Sequence, residues 1–150
     1  MVREALETLK MKPLVKTSGS RGCHVHVPIV HGPTQDDVLA FTKALATELA
    51  SRNPKLLTVE YRKTTRPKSR VLVDYRQNAW GQTLASIYSV RPTATASVST
   101  PITWAEVEKG VAIEDFRLDN VRARIAKVGD LWKPLNAAKG RTNLGMFFRS

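Results

Sequence analysis

The fold is decided by one stretch of the chain, which runs Leu14-Val15-Lys16-Thr17-Ser18-Gly19-Ser20-Arg21-Gly22-Cys23-His24-Val25-His26-Val27. It opens with a short strand, and a loop of small residues, 16–22, separates that strand from a second one. In the second strand the alternation puts His24 and His26 on one face and two valines on the other. The stretch therefore predicts two strands joined by a glycine-containing loop.

Helices are predicted on both sides of this stretch. Residues 2–10 have amphipathic spacing, and a helix from about 35 to 51 follows a threonine that can cap it. The pattern Thr103-x-x-Glu106 is a capping box that opens a short helix, and Asp119 is expected to cap the next one.

Further strands are predicted between these helices. Residues 57–61 alternate like a half-buried strand, whereas residues 71–75 are apolar on both faces, which is typical of a fully buried strand. Residues 83–90 are candidates to pair with it. The alternation of strands and helices indicates a mixed α/β or α+β class. We expect one domain over residues 1–135 and a polar C-terminal tail over 136–150.

Length and composition exclude several classes of protein. The 150 residues suffice for one compact domain, and no apolar run approaches the roughly 18–20 residues of a membrane span. The first residues carry acids and no apolar centre, so we predict no signal peptide. The single cysteine, Cys23, excludes an intramolecular disulfide and a four-cysteine zinc site. We expect a cytoplasmic protein without membrane partners.

The net charge points to a polyanionic partner. Lys and Arg number 24 against 13 Asp and Glu, which gives +11 and a pI near 10.2. Nucleic acid is the commonest intracellular polyanion. The excess is concentrated between residues 62 and 70, which carry five cations and no acid. These candidate nucleic-acid contacts are Arg62, Lys63, Arg66, Lys68 and Arg70. A solvated loop is the alternative, and composition does not separate DNA, RNA, a nucleotide and an anionic lipid surface.

Asp74 is the most informative single residue. It follows three apolar residues, where an unpaired charge would cost several kcal/mol. The carboxylate therefore needs a metal, a basic partner or exposure at the end of the strand. An aspartate that simply ends a strand, or that pairs with an arginine, is the alternative.

The loop between the first two strands could bind phosphate. Its glycines let backbone N–H groups converge on phosphate oxygens, and Arg21 can add a bidentate contact. The Walker A spacing is absent, and a plain connecting turn is at least as good an interpretation. His24 and His26 could instead ligate zinc, but a third ligand would have to come from Asp74 or His31.

Four blocks in order resemble one family. The chain is similar to the polymerase domain of bacterial ligase D, a member of the archaeo-eukaryotic primase superfamily that acts in non-homologous end joining. The resemblance runs from about residue 2 to Pro134. It implies a primase-polymerase core with a central, mostly antiparallel sheet flanked by helices. The blocks are Lys16-Thr-Ser-Gly-Ser-Arg-Gly-Cys-His24, Arg70-Val-Leu-Val-Asp74-Tyr-Arg-Gln-Asn78, Tyr88-Ser-Val-Arg91-Pro and Val98-Ser-Thr-Pro-Ile-Thr-Trp104.

The resemblance implies roles for individual residues. Ser18 and His24 match the motif that grips the triphosphate of the incoming nucleotide, with Arg21 at a position usually filled by Lys or Arg. Gln77 and Arg91 match further residues of the nucleotide site, where Arg91 would clamp the triphosphate. Arg66 or Arg70 is expected to match another basic residue there.

The resemblance also implies a metal site that this chain fills only in part. The family reaction uses Mn²⁺ or Mg²⁺, and Asp74 matches its third metal-binding aspartate. Asp74, together with His24 of the triphosphate motif, is therefore a candidate catalytic residue. The other two ligands form an Asp-x-Asp pair, and no Asp-x-Asp occurs in these 150 residues. The nearest analogue is Glu106-x-Glu108 on a predicted helix. Two metals need several carboxylates, so the site is incomplete in this chain.

The function implied is DNA repair by template-directed addition of nucleotides at DNA ends. The chain looks like the C-terminal half of such a nucleotidyltransferase domain, and a helix directly after Met1 favours truncation, so polymerase activity of the chain itself is left open. The implied partners are a nucleoside triphosphate, DNA ends, a missing N-terminal half, a ligase domain and an end-binding repair protein. The alternative is a non-catalytic, basic nucleic-acid-binding module.

Overall fold

The computed structural model describes residues 1–137 and 139–148, which form two compact units. The helix unit contains Met1–Val2, Val30–Leu84 and residues 143–148. The sheet unit contains Arg3–Ile29 and Ala85–Thr142. No helix in the described part of the chain has the length and apolar character needed to cross a bilayer.

The elements alternate along the chain largely as the sequence predicts. The α-helices are α1 (Val2–Thr8), α2 (Gln35–Arg52), α3 (Trp104–Lys109), α4 (Val121–Val128) and α5 (Lys133–Asn136). The strands are β1 (Leu14–Thr17), β2 (Cys23–His26), β3 (Leu57–Thr58), β4 (Val71–Leu72) and β5 (Pro101–Ile102). The 3₁₀-helices cover Arg76–Asn78, Ile113–Asp115 and Leu144–Phe147.

The sheet unit is built on an antiparallel sheet with the order β2-β1-β5. The predicted strand pair is confirmed, with Lys16 opposite His24 in the register of β1 and β2. On the other side of β1, Val15 lies opposite Ile102. Val15, Ile102 and Phe116 form the buried core against which α3 packs through Trp104 and other partly buried side chains. The unit has the mixed helices and antiparallel sheet of the predicted α+β class.

The helix unit is organised around α2, whose start the sequence predicts correctly. The hydroxyl of Thr34 accepts the backbone N–H of Asp37, and the Asp37 carboxylate accepts the backbone N–H of Thr34, which completes a capping box. Ala46 and Leu49 are buried on the apolar face. The strands β3 and β4 pair in parallel, with Leu57 opposite Val71.

The prediction for residues 71–75 is wrong in its extent and burial. Only Val71–Leu72 is a strand, and 66% of Val71 is exposed. A two-stranded sheet has too few neighbours to cover both faces, so the apolar pattern overstated burial. Residues 83–90 do not pair with it; Val90 instead bridges to Val98 in the sheet unit.

The predicted helix cap at Asp119 is also wrong. The N-cap of α4 is Asn120, without a side-chain cap hydrogen bond. The Asp119 carboxylate accepts hydrogen bonds from Nε and from a terminal nitrogen of Arg117, because the bidentate guanidinium is a stronger partner than a backbone amide. Gly129 ends α4, with a φ of +73°.

The predicted C-terminal tail contains regular structure. Leu144–Phe147 forms a 3₁₀-helix with Leu144 buried, and the Phe147 ring lies 5.4 Å from the ring of Phe41. Residues 138, 149 and 150 of the predicted tail lie outside the described residues. The boundary between residues 135 and 136 stays a prediction.

Candidate functional site

The loop between β1 and β2 is a closed turn held by Ser18. The backbone N–H of Ser18 donates to the carbonyl of Gly22 at 2.7 Å. The hydroxyl oxygen of Ser18 accepts the backbone N–H groups of Ser20 and Gly22 at 3.0 and 3.2 Å. Three of the loop's amides, those of Ser18, Ser20 and Gly22, are therefore used to fold the turn, while Arg21 is exposed at its tip. The sequence predicts a glycine turn here, but not that Ser18 organises it.

A row of buried hydroxyl side chains supports this turn. We name it the hydroxyl seam and define it as Ser97, Ser99 and Thr100, each at most 1% exposed. The Ser97 hydroxyl donates to the carbonyl of Gly19 at 2.7 Å, and the Ser99 hydroxyl donates to the carbonyl of Thr17 at 2.8 Å. Because buried polar groups keep their place only when bonded, the seam fixes β1 and the turn to the chain before β5.

Arg91 packs directly on the turn. Its backbone N–H donates to the carbonyl of Ser97 at 2.7 Å, so Ser97 of the hydroxyl seam is hydrogen-bonded to Arg91 as well as to Gly19. The Arg91 stem lies where a side chain on Gly19 would stand, since a methyl group there would be 2.5 Å from Arg91 Cγ. Arg91 Nε is buried and has no hydrogen-bond partner among residues 1–137 and 139–148. An oxyanion bound here would supply the missing acceptor.

Lys16 is a functional candidate that the sequence analysis missed. It is 1% exposed, and its ammonium donates to the Ser99 hydroxyl at 2.6 Å and to the carbonyl of Ala85 at 2.8 Å. Burial, followed by the positive charge of Arg91, lowers the pKa of Lys16 to about 8. Its position inside β1, between Val15 and Thr17, is the signal that could have found it, because a lysine between buried strand residues needs a reason.

The two histidines of β2 lie on the same side of the sheet as predicted. Their ring centroids are 6.4 Å apart, and the His26 ring packs edge-on against Trp132 with centroids 5.0 Å apart. Burial, followed by the nearby charge of Lys16, lowers the pKa of His26 to about 4. His26 is therefore neutral at physiological pH. His24 lies opposite Lys16 in the strand register, which places it beside the turn.

Asp74 stands in a separate cluster, in the helix unit. It is exposed, so the expected cost of a buried charge does not arise. The phenol of Tyr61 donates to Asp74 Oδ1, and the side-chain amide of Gln77 donates to Oδ2 at 3.1 Å. The backbone N–H of Arg76 lies within hydrogen-bond distance of both Oδ1 and the Tyr61 oxygen, at 3.1 and 2.9 Å. The Asp74 carboxylate is therefore oriented by neutral hydrogen-bond donors and not by a salt bridge.

Tyr61 was missed as a site residue. Its ring carries the guanidinium of Arg76 at 4.1 Å from the centroid and meets the Tyr75 ring edge-on at 5.7 Å. Burial, followed by the hydrogen bond to Asp74, raises the pKa of Tyr61 to about 12. The alternation of residues 57–61 predicts that Tyr61 packs on the apolar face of a strand. Nothing in the sequence indicates that Tyr61 bonds to Asp74, 13 positions later.

The 3₁₀-helix that follows Asp74 is anchored to α2. The side-chain amide of Gln35 donates to the carbonyl of Asn78 at 3.1 Å, and the Asn78 amide donates to the hydroxyl of Thr42 at 3.4 Å. These bonds fix the segment that carries Gln77, so this short 3₁₀-helix can hold Asp74 in one orientation.

The described residues do not by themselves fit a two-metal centre. Residues 1–137 and 139–148 contain no group of three or more His, Cys, Asp or Glu side chains that could hold a metal ion. The sequence's nearest acidic pair is engaged elsewhere: Glu106 forms a bidentate pair with Arg124, and Glu108 pairs with Arg3. Asp74 offers a single carboxylate.

The segment over residues 62–70, which we call the basic loop, is largely exposed, with Arg66 partly buried. Its turns are closed by backbone bonds from Thr65 and Arg66 to the carbonyl of Arg62 at 3.2 and 2.9 Å. In the described part of the chain, no carboxylate lies within salt-bridge distance of its five cationic side chains. The loop therefore presents uncompensated positive charge to solvent.

The predicted site residues thus fall into two groups. Ser18, Arg21, His24 and Arg91 belong to the sheet unit, where the turn brings Ser18 and Arg91 onto one framework. Asp74, Gln77 and the basic loop belong to the helix unit. That both groups serve one nucleotide stays a prediction.

Comparison with known proteins decides the family. The family model described as LigD, primase-polymerase domain, matches residues 1–132. The chain belongs to this family. The LigD protein of Mycobacterium bovis, named a multifunctional non-homologous end joining protein, is 32% identical over 136 residues, covering 91% of this chain and 18% of that protein. The bifunctional LigD of Bacillus subtilis is 28% identical over 129 residues, covering 85% and 21%.

A solved LigD structure has the same fold. The polymerase domain from Mycobacterium tuberculosis ligase D, determined in complex with DNA, superposes with a TM-score of 0.84 at 31% identity. The match covers 91% of this chain and 47% of that domain. The resemblance stated from the sequence and the α+β class are thereby confirmed. The chain spans less than a fifth of its mycobacterial LigD relatives and about half of the solved polymerase domain.

Proposed function

We propose that this LigD-type chain binds a nucleoside triphosphate for template-directed addition of nucleotides at DNA ends in non-homologous end joining. The observation that carries the proposal is the contact between Arg91 and the Ser18–Gly22 turn. There a guanidinium with a buried, unsatisfied Nε stands against a glycine that leaves room for it. Planar guanidinium groups and exposed amides at glycine turns are the usual protein ligands of phosphate.

The charge around the turn favours an anion of high charge. Arg91 lies close enough to Lys16 for its positive charge to lower the pKa of Lys16. Both residues belong to the framework of the turn. Arg21 adds a third cation at the exposed tip. Because repulsion among these cations is relieved by a bound anion, a triphosphate should bind more tightly than a single phosphate. His24, beside the turn, is proposed as a further triphosphate contact.

DNA is the second proposed partner. The homologous domain from Mycobacterium tuberculosis was solved in complex with DNA, and the exposed loop from Arg62 to Arg70 carries five cations without a carboxylate. Exposed lysines and arginines of this kind bind phosphates of the DNA backbone without reading sequence. The alternative of a purely DNA-binding module does not account for the buried charge at the turn.

Asp74 is the proposed metal ligand of this chain. Its carboxylate is exposed and already oriented by Tyr61 and Gln77, as a metal ligand has to be. Divalent Mn²⁺ or Mg²⁺ favours carboxylate oxygens and, when bound, neutralises phosphate charge. Since the described residues supply one such carboxylate, we expect little primer extension by this chain alone. Extension with Mn²⁺ that Asp74→Ala abolishes would contradict that expectation.

Nucleotide binding is the direct test. Titration calorimetry of the chain with ATP and Mn²⁺ should give saturable binding, and Arg91→Ala should weaken it about tenfold or more, because the variant has no guanidinium to form a charge-assisted hydrogen bond with phosphate. Arg122→Ala is the matched control, since Arg122 is an exposed arginine of α4 in the same unit. The control should bind within about twofold of the parent chain.

Two results would count against the proposal. Equal weakening by Arg91→Ala and Arg122→Ala would show that only net charge matters. Salt-dependent binding of DNA with no detectable binding of ATP would favour the non-catalytic module.

A further inference from the structure

The position of Lys16 suggests a role that the nucleotide contacts alone do not explain. Its ammonium is buried, yet its two hydrogen-bond acceptors, Ser99 and Ala85, are neutral. Among the described residues, no carboxylate lies within salt-bridge distance of it. A buried lysine without a counter-ion costs stability, and a structurally idle position of this kind would be better filled by an apolar side chain.

The two hydrogen bonds of Lys16 join three segments of the sheet unit. Lys16 itself belongs to β1, and Ser99 belongs to the hydroxyl seam that bonds the turn. Ala85 lies at the start of the segment that leads to Arg91. This segment is held to the seam by two further bonds, from Tyr88 N–H to the Ser99 carbonyl at 2.6 Å and from Ser99 N–H to the Ser89 carbonyl at 3.0 Å.

We propose that Lys16 is a positioning residue for the nucleotide: its ammonium ties the segment carrying Arg91 to β1 and supplies the uncompensated charge that a triphosphate neutralises. The inference rests on the proposed function, because it takes the nucleotide site to be the turn with Arg91. A bound triphosphate would provide the negative charge that no nearby carboxylate among the described residues supplies to Lys16.

A neutral variant tests the charge. Lys16→Met keeps the length and apolar stem of the side chain but removes the ammonium, and it should weaken the binding of ATP with Mn²⁺ about tenfold or more. Lys12→Met is the matched control, because Lys12 is exposed in the same unit and its change should leave the affinity within about twofold. Circular dichroism and thermal unfolding establish that each variant is folded.

The pH dependence of the unmodified chain tests the same charge without a mutation. The pKa of Lys16 is about 8 in the free chain, and bound phosphate charge should raise it. ATP affinity is then greatest below pH 8 and falls about tenfold between pH 7 and 9.5. Mn²⁺ bound to the triphosphate keeps its last proton off across this range. In a folded Lys16→Met variant the curve should be flat.

Other groups near Lys16 can be separated from it. His26, with a pKa of about 4, stays neutral throughout this pH range. His24 lies opposite Lys16 in the register of β1 and β2. Burial raises the pKa of the Cys23 thiol, so the Cys23→Ser variant is included and should keep the pH dependence.

The outcomes divide cleanly. Failure of the unmodified chain to bind ATP would remove the proposed function and this inference together. Binding that Arg91→Ala weakens, but that neither Lys16→Met nor pH alters, would overturn only the role of Lys16. Should Lys16→Met fail to fold, the pH curves of the unmodified chain and of Cys23→Ser decide: a fall near pH 8 supports the role, and flat curves refute it.

Discussion

The Arg91 side chain occupies the space beside Gly19 in which any other residue would place its Cβ. A methyl group on Gly19 would stand 2.5 Å from Arg91 Cγ and 2.9 Å from the backbone nitrogen of Ser99. Gly19 also has a φ of +66°, which L-residues with side chains rarely adopt. Two independent constraints, space and backbone conformation, therefore fall on this one glycine.

Replacement of Gly19 by alanine should destabilise the chain and displace Arg91. We expect Gly19→Ala to lower the free energy of unfolding by about 2 kcal/mol or more, measured by urea denaturation, because both the contact and the backbone are strained. Gly22→Ala is the control within the same turn, since no atom lies within 4 Å of the added methyl group. A change for Gly19→Ala as small as that for Gly22→Ala would contradict the close approach of Arg91.

The phenol of Tyr61 should titrate far above the ordinary range. Burial and the hydrogen bond to Asp74 raise its pKa to about 12, so an alkaline absorbance titration should contain a component near pH 12 that Tyr61→Phe removes. Stability linked to this group is complete below pH 10 and declines as the pH rises toward 12. Tyr75→Phe is the control and should retain the component.

Removal of the partner charge tests the same pair from the other side. Asp74→Asn should move the Tyr61 component toward pH 10, because the carboxylate no longer opposes the phenolate. A component unchanged by Asp74→Asn would show that burial, and not Asp74, sets the pKa of Tyr61.

The pair between Glu106 and Arg124 should make the chain sensitive to acid. The hydrogen bond with Arg124 is the largest cause that holds the pKa of Glu106 at about 2, so the pair stabilises fully above pH 4.5 and its contribution disappears as the pH falls toward 2. Glu106→Gln should lower the free energy of unfolding at pH 6 by about 2 kcal/mol. The decrease should be much smaller at pH 3, as measured by urea denaturation at each pH.

The control for this prediction is an acid without such a partner. Glu114 is exposed, so Glu114→Gln should change the free energy of unfolding by less than about 0.5 kcal/mol at either pH. Equal effects of Glu106→Gln at pH 6 and pH 3 would argue that its capping bonds with Thr103, rather than the ion pair, dominate.

The basic loop should govern the salt dependence of DNA binding. Replacement of its five cations by glutamine should flatten the plot of log affinity against log salt by roughly 0.9 for each DNA phosphate that the loop no longer neutralises, measured on a short duplex by fluorescence anisotropy. The loop cations are Arg62, Lys63, Arg66, Lys68 and Arg70.

A second set of five exposed cations, replaced in the same way, is the control. It consists of Lys43, Lys55, Lys109, Arg122 and Lys127. It lowers the net charge by the same amount and should flatten the plot less. If both sets flatten the slope equally, the binding follows net charge and has no preferred surface.

Much of the fold could be predicted because its signals are local. The capping boxes at Thr34 and Thr103 determine where two helices begin, through bonds that span three residues. The alternation around His24 gives the strand that pairs with β1. In contrast, the exposure of Val71 depends on how many strands lie beside it, and that number is a property of the whole unit.

Part of the candidate site could be proposed from residue types and from the family resemblance. The glycine turn indicates phosphate binding by residue type, and the resemblance implies the same role for Arg91. The structure places the two against each other, and their role in binding stays a prediction. Lys16 and Tyr61 could not be found in this way, because each acts through a partner distant along the chain: Lys16 through Ala85 and Tyr61 through Asp74. Hydrogen bonds between residues so far apart in the sequence depend on tertiary packing, which cannot be predicted from a short sequence motif.

The hydroxyl seam limits how this protein can diverge. An interior of hydrocarbon accepts the exchange of one aliphatic side chain for another at modest cost. Ser97 and Ser99 instead donate to the carbonyl oxygens of Gly19 and Thr17 in the buried interior. Even an alanine of nearly equal volume would leave those oxygens without these donors, so we expect only other small hydroxyl-bearing residues to be tolerated at these two positions.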